Sequence, residues 1–132
     1  MGFFTVGSNT LAATAPPPNV VFITIDTLRA DHLGCYGDKQ VRTPNIDALA
    51  VDSTRFERAY TAVPVTLPSH TVIFTGTYPM LNGVHDFAAN KLSSTQRTLA
   101  SVLKENGYTT GAVIGSAVLD SRFGLNHGFD FY

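Results

Sequence analysis

Several features that would place a protein in a class at once are scarce or missing here. The single cysteine, Cys35, excludes an internal disulfide. Only 14% of the residues are charged and the formal net charge is −1, which argues against nucleic acid or an anionic membrane as a main partner. No apolar run reaches the length of a membrane-spanning helix. The 132 residues, 44% of them hydrophobic, indicate a globular chain with one domain and a modest core.

The first eighteen residues differ in composition from the rest. Residues 1–15 are small, apolar and uncharged, and they end in Ala13-Thr14-Ala15 before three prolines. This ending resembles a signal-peptidase site, although the basic segment that normally begins a signal peptide is missing. Residues 1–18 are therefore either a signal-peptide remnant or a flexible lead-in. The first interpretation predicts a periplasmic or secreted protein, and the second leaves a cytoplasmic one open.

The chain is organised around residues 66–79. Pro68 suits the first turn of a helix, and Gly76 suits the position just after its end. Thr66 is therefore expected at or just before a helix N-terminus, where unpaired N–H groups and a partial positive charge favour anions. Such a position would ease ionisation of the Thr66 hydroxyl and hold a phosphate-like group. From the residue types alone, a simple N-cap is the alternative role for Thr66.

An apolar, β-branched run over residues 20–26 ends in Asp26. The run predicts a strand buried on both faces, as in the centre of a parallel sheet. Ligands gather at the carboxyl ends of such strands, and a buried carboxylate needs a partner. Asp26 is therefore a candidate metal ligand, while a helix-capping or turn role fits the residue equally well.

The remaining elements alternate between helix and strand. A helix is predicted from Thr43 and Pro44, with an apolar face of Ile46, Leu49 and Ala50. Residues 54–60 predict a short strand, and residues 109–115 predict a second buried strand. Between them, Ser94 or Thr95 is expected to cap a helix that ends at Gly107 and buries Leu99, Val102 and Leu103. This order predicts an α/β protein built from parallel βαβ units.

Residues 66–79 resemble the signature of the sulfatase family, in the alkaline-phosphatase superfamily. That signature runs Cys/Ser-x-Pro-Ser-Arg, then a helix, then Thr-Gly-x-Tyr-Pro. Thr66 stands where the family has the Cys or Ser that becomes formylglycine, and His70 stands where it has Arg. Further similarity lies in residues 25–31, in a Thr-Pro-Asn segment and in a closing Gly-Phe-Asp segment. The signature matches at Pro68, Ser69, Thr75, Gly76, Tyr78 and Pro79.

The resemblance covers residues 19–132 and implies a fold. It implies the N-terminal part of a catalytic domain, a partial alkaline-phosphatase-like three-layer α/β/α structure with a mostly parallel sheet. In the family the remaining metal ligands come from later strands. We therefore expect residues 1–132 alone to be inactive.

The resemblance also implies a site. Asp26 would be a metal ligand, and Thr66 would be the nucleophile and a second metal ligand. His70, one helical turn beyond Thr66, would be a catalytic residue, with a packed structural histidine as the alternative. The implied cofactor is a divalent metal, calcium or magnesium, with zinc or manganese as alternatives. Many members carry a second Asp ligand where this chain has Thr27.

A threonine nucleophile has a chemical consequence. A formylglycine hydrate expels sulfate by collapsing to the aldehyde, whereas a threonine ester must be hydrolysed by water at sulfur or phosphorus. The expected partner is therefore a small-molecule sulfate or phosphate ester, with no nucleic acid and no membrane span, and the oligomeric state stays open. The alternative is a non-catalytic family member that binds a metal or an anion.

Overall fold

A computed structural model gives the structure of this protein and describes residues 16–87 and 90–132. The lead-in predicted for residues 1–18 lies outside the described residues as far as residue 15. Helices dominate the described part: α1 is Pro44–Val51, α2 is Thr66–Thr75, α3 is Pro79–Asn82 and α4 is Leu99–Glu105. Short 3-10 helices cover Ala30–His32, Gly34–Tyr36, Ala117–Leu119 and Ser121–Phe123. None of these helices has the length and apolar character needed to span a bilayer.

Helix α1 begins as predicted but does not bury the predicted face. Pro44 is its first residue and Thr43 precedes it. Leu49 is 67% exposed, and no residue of α1 is buried. The helix is instead held at its polar start, where the Asp47 carboxylate accepts hydrogen bonds from the Cys35 N–H at 2.7 Å and the Thr43 hydroxyl at 3.0 Å. Of the predicted apolar face, Leu49 is exposed, whereas Ile46 and Ala50 are half-buried.

Helix α2 confirms the helix bounds that Pro68 and Gly76 predict. It runs from Thr66 to Thr75, and Gly76 follows in the left-handed region with φ of 66°. The Gly76 N–H donates to the Val72 carbonyl at 2.8 Å, which closes the helix C-terminus. Val65 occupies the N-cap position, so Thr66 is the first helical residue and the simple N-cap role is wrong. Four residues of α2 are buried: Leu67, Pro68, His70 and Thr71.

Helix α4 is capped by Thr98 and not by Ser94 or Thr95. The Ser101 N–H donates to the Thr98 hydroxyl at 3.0 Å, and the Thr98 N–H donates to the Ser101 hydroxyl at 2.8 Å. This reciprocal capping box fixes the start of the helix. The buried residues are Ala100 and Ser101, whereas Leu99 is exposed. The 126–129 loop contacts this N-terminus through a bond from Thr98 Oγ1 to the His127 carbonyl at 2.7 Å.

The three predicted strands are absent from the described residues, and the parallel sheet is not confirmed. One isolated parallel bridge joins Gly111 to Phe131. Residues 20–26 form no backbone–backbone hydrogen bond within the described part of the chain, and Ile23 is 75% exposed. Residues 54–60 are irregular. An apolar run forms a buried strand only where neighbouring strands pair with it and cover both faces, and the described residues supply no such neighbour.

A small apolar cluster carries the packing around α2. Leu67, Val84, Leu92 and Leu125 are its buried members. Phe74 of α2 extends this packing in two directions, with ring centroids 5.6 Å from Phe22 and 6.1 Å from Phe129. The segment that ends in Asp26 is therefore held against α2 by an aromatic contact as well as by polar ones.

Candidate functional site

Asp26 and Thr66, predicted from separate stretches, meet in the structure. The Thr66 hydroxyl donates a 3.0 Å hydrogen bond to Oδ2 of Asp26, across forty residues of sequence. Asp26 is exposed and Thr66 is half-buried. A hydroxyl that faces solvent on one side and a carboxylate on the other can lose its proton toward the carboxylate and stay open to a small molecule.

Thr66 occupies the first position of α2, which adds a favourable field for negative charge. The first intrahelical bond runs from the Ser69 N–H to the Val65 carbonyl at 2.9 Å. The N–H groups of Thr66 and Leu67 therefore have no helical acceptor, and Pro68 has no N–H. The partial positive charge of this helix end stabilises an alkoxide or an anionic ester beside it.

His70 lies beneath Thr66 and contacts its carbonyl, not its hydroxyl. Nδ1 lies 2.8 Å from the Thr66 carbonyl oxygen, and Nε2 lies 3.2 Å from the hydroxyl of Thr24. A carbonyl oxygen only accepts, so Nδ1 carries a proton, and in that tautomer Nε2 is the acceptor for the Thr24 hydroxyl. His70 is 6% exposed. The ring is thus buried with both nitrogens occupied.

The residue after Asp26 has an unusual backbone. Thr27 has φ of 55°, and it is the one residue other than glycine with positive φ in the described part of the chain. A β-branched side chain is an outlier in this region, whereas Asn and Asp tolerate it. Thr27 stands where the resemblance places a second Asp, so this backbone suits the residue that the chain lacks.

Sequence reasoning missed Thr24. It is the one hydroxyl in the apolar run at residues 20–25. A lone polar residue in a run predicted to be buried was the signal that it has a specific partner. Thr27 gave no such signal, because its backbone conformation is set by the turn that Asp26 and Thr27 form.

The donor atoms at this site fit part of a metal centre. Asp26 and Thr66 bring carboxylate and hydroxyl oxygens together, and such hard donors suit calcium or magnesium. The described residues contain no group of three His, Cys, Asp or Glu side chains that could hold a metal ion. Six or more ligand atoms are usual for these cations, so Asp26 and Thr66 supply only part of a complete coordination shell.

A cavity of about 800 Å³ adjoins the site. Asp26 and His70 form part of its wall, and the rest comes mainly from residues 20–25 and 108–116. Both stretches predicted as buried strands line this cavity, and within the described residues no backbone hydrogen bond joins them.

Comparison with known proteins gives one family. The family model described as Sulfatase matches residues 18–132. Over 138 residues the chain is 31% identical to arylsulfatase D of Homo sapiens, an alignment that includes 91% of this chain and 23% of that protein. The chain thus spans about a quarter of that relative's length.

Two solved structures have a similar fold. Phosphonate monoester hydrolase of Agrobacterium radiobacter superposes with a TM-score of 0.68 and 33% identity, over 72% of this chain and 19% of that one. A protein in complex with its substrate D-glucosamine-2-N,6-O-disulfate superposes with a TM-score of 0.70 and 28% identity, over 86% of this chain and 22% of that one. The described elements therefore superpose on about a fifth of each of these longer chains.

Proposed function

Since this chain belongs to the sulfatase family, we propose that it contributes the nucleophile, Thr66, and a metal ligand, Asp26, to a metal-dependent hydrolase of sulfate or phosphate esters. The observation that carries the proposal is the 3.0 Å hydrogen bond from the Thr66 hydroxyl to Asp26 Oδ2 at the start of α2. It unites a nucleophile, a proton acceptor and a helix end that favours anions.

The fold belongs to the same proposal. We propose a partial alkaline-phosphatase-like three-layer α/β/α structure over residues 19–132, with a mostly parallel sheet. Two observations support it: the superposition on a phosphonate monoester hydrolase, and the parallel sense of the Gly111–Phe131 bridge.

Asp26 and Thr66 would hold the divalent metal with their oxygens. Calcium or magnesium suits these donors, and zinc or manganese would suit a site completed by histidines. When bound, such a metal polarises the ester and stabilises negative charge on it. We expect residues 1–132 alone to be inactive, because the donors that the described residues bring together are too few to fix a metal.

The reaction follows from what each side chain can do. Thr66 Oγ1 forms a bond to the sulfur or phosphorus of the ester, its proton passes to Asp26 Oδ2, and the bond to the leaving oxygen breaks. The alkoxide that departs takes up a proton from solvent. The N–H groups at the start of α2 stabilise the negative charge that develops. Water then attacks sulfur or phosphorus, Asp26 Oδ2 returns its proton to the departing Thr66 oxygen, and sulfate or phosphate is released with the proton of the water passing to solvent. The cleaved bond is never the Cβ–Oγ1 bond of Thr66.

The proposed role of His70 is to position the first turn of α2. Its ring contacts the Thr66 carbonyl and is buried, so it sets the orientation of the first turn of α2. A direct role on the ester would require the ring to lose at least one of its two hydrogen bonds.

The proposed partner is a small sulfate or phosphate ester. Support comes from the relatives: one is an arylsulfatase, one is a phosphonate monoester hydrolase and one binds a sulfated glucosamine. The composition of residues 1–18 supports a periplasmic or secreted location.

Mass spectrometry of the full-length protein, quenched during turnover of aryl phosphate and aryl sulfate, tests the nucleophile. We expect a phospho or sulfo adduct on Thr66. Thr66→Ala should abolish turnover, and Thr66→Ser should keep much of it because the hydroxyl remains. Thr54→Ala is the matched control, since Thr54 is exposed and outside the site. Normal turnover by Thr66→Ala without an adduct would reject the nucleophile and favour a non-catalytic, anion-binding or metal-binding protein.

A further inference from the structure

Three side chains of the segment before Thr27 contact three successive turns of α2. Asp26 bonds to Thr66, Thr24 bonds to His70, and the ring of Phe22 packs on Phe74. The three residues of the segment are alternate positions, whereas their partners in α2 are four residues apart. The segment therefore runs antiparallel to α2 with a regular correspondence between the two.

The spacings of the two elements explain this correspondence. Two residues of extended chain span about 6.6 Å, and four residues of an α-helix rise about 6 Å. Alternate side chains of the segment can therefore meet one face of α2 without distortion over three contacts. A slip by one residue would replace Asp26, Thr24 and Phe22 on that face with Ile25, Ile23 and Val21.

The middle contact, between Thr24 and His70, is the one that specifies this alignment. The aromatic contact of Phe22 restricts the alignment less than a hydrogen bond does, because the hydrophobic part of its packing is non-directional. The Asp26–Thr66 contact is at the exposed end, and it changes during the proposed reaction, when the Thr66 proton passes to Asp26. The Thr24–His70 bond lies in between, and His70 also donates to the carbonyl of Thr66 itself. Loss of the Thr24 hydroxyl would leave a buried ring nitrogen without its partner.

We propose that Thr24 is a positioning residue, which acts through His70 to hold the Asp26 carboxylate beside the Thr66 hydroxyl. The kinetic consequence of this inference rests on the proposed function, whereas the Thr24–His70 contact is seen in the structure. Thr24 does not touch the reacting atoms. Its hydroxyl fixes the chain two residues before Asp26 to the helix that begins with Thr66.

Steady-state kinetics of the full-length protein provide the first test. Thr24→Val removes the hydroxyl and keeps the volume; we expect kcat to fall about tenfold with little change in KM. Thr24→Ser restores the hydroxyl and should recover most of kcat. Ile23→Val is the matched control, because Ile23 is 75% exposed and lies between the contacts. Wild-type kcat in Thr24→Val, in a protein that Thr66→Ala inactivates, would overturn the inference and leave the proposed function standing.

Nitrogen NMR of the histidines provides the second test and needs no activity. In the wild type, His70 should carry its proton on Nδ1, with the Nε2 resonance shifted by an accepted hydrogen bond. Thr24→Val should move the Nε2 resonance toward that of an unbonded nitrogen, and Thr24→Ser should keep it in place. A proton on Nε2 in the wild type, which is readable even where Thr24→Val fails to fold, would overturn the inference. This result is independent of whether Thr66 is a nucleophile.

Discussion

Asp26 Oδ2 accepts a hydrogen bond from the Thr66 hydroxyl although forty residues of sequence separate the two. No other side chain among the described residues bonds to the Thr66 hydroxyl or to the Asp26 carboxylate. The contact therefore connects the end of one segment directly to the start of α2. A change in the charge of Asp26 acts on Thr66 without an intermediary.

Asp26→Asn should lower the metal content of the full-length protein. The amide keeps the shape and the hydrogen-bond acceptor but removes the negative charge that attracts a divalent cation. Elemental analysis and metal titration measure the effect. Asp52→Asn is the control, since Asp52 is an exposed residue just after α1. An unchanged metal stoichiometry and affinity in Asp26→Asn would remove its role as a ligand.

Thr27→Asn should stabilise the protein. Thr27 holds a left-handed conformation that Asn adopts with less strain, and relief of such strain is worth about 1 kcal/mol in the free energy of unfolding. Chemical denaturation of the full-length protein measures this quantity. Thr54→Asn, at a residue without positive φ, should leave it unchanged. A lower stability in Thr27→Asn would show that the Thr27 side chain makes a contact worth more than the strain.

Asp130 should make the stability depend on pH in the acid range. The Lys104 ammonium, 2.5 Å away, and the backbone N–H and hydroxyl of Thr110 lower the pKa of Asp130 from 3.8 to about 2. A lowered pKa in the folded state means that this stabilisation is present above pH 3.8 and is lost as the pH falls toward 2. Solvent screens this exposed pair, so the effect is small.

Unfolding free energies across that pH range, in wild type and Asp130→Asn, test the assignment. The variant should lose part of the acid dependence, because the neutral amide does not titrate. Asp120→Asn is a control at another exposed carboxylate. Identical pH profiles for wild type and Asp130→Asn would contradict the prediction.

Gly128→Ala should destabilise the 126–129 loop and the start of α4 together. Gly128 has φ of 94°, and a Cβ there would lie 2.2 Å from the Ser101 nitrogen. We expect the free energy of unfolding, measured by chemical denaturation, to fall by at least about 1–3 kcal/mol. Gly115→Ala is a matched control, since no atom lies within 4 Å of its added Cβ and its φ is not positive. Equal stabilities for the two variants would show that the loop can move away at no cost.

The sequence predicts α2 better than any other element, because its signals are local. Pro68 and Gly76 act on the backbone within one turn of their own positions, and the helix ends where they indicate. The cap of α4 was misplaced because Ser94, Thr95 and Thr98 are all suitable N-cap residues. Thr98 is distinguished by its reciprocal bonds with Ser101 and by its contact with the distant His127 carbonyl, and no local pattern contains the second of these.

The strands and the site depend on residues far away in sequence. A buried strand needs partners that a single apolar run cannot specify, so residues 20–26 looked the same whether paired or not. Asp26 was found because it ends that run, and Thr66 because it begins α2. That they bond to each other was not derivable from the spacing of residues alone.

The two hydrogen bonds that assemble the site span forty and forty-six residues, and this has a kinetic consequence. Helices of seven to ten residues form from local contacts in about a microsecond or less, whereas contacts across long loops first require the loop to close against its entropy. We expect α2 to form and unfold repeatedly before Asp26 reaches it, because a helix of ten residues is marginal on its own. Asp26 and Thr24 therefore join the start of this helix late in folding, and variants at these positions should change the unfolding rate more than the folding rate.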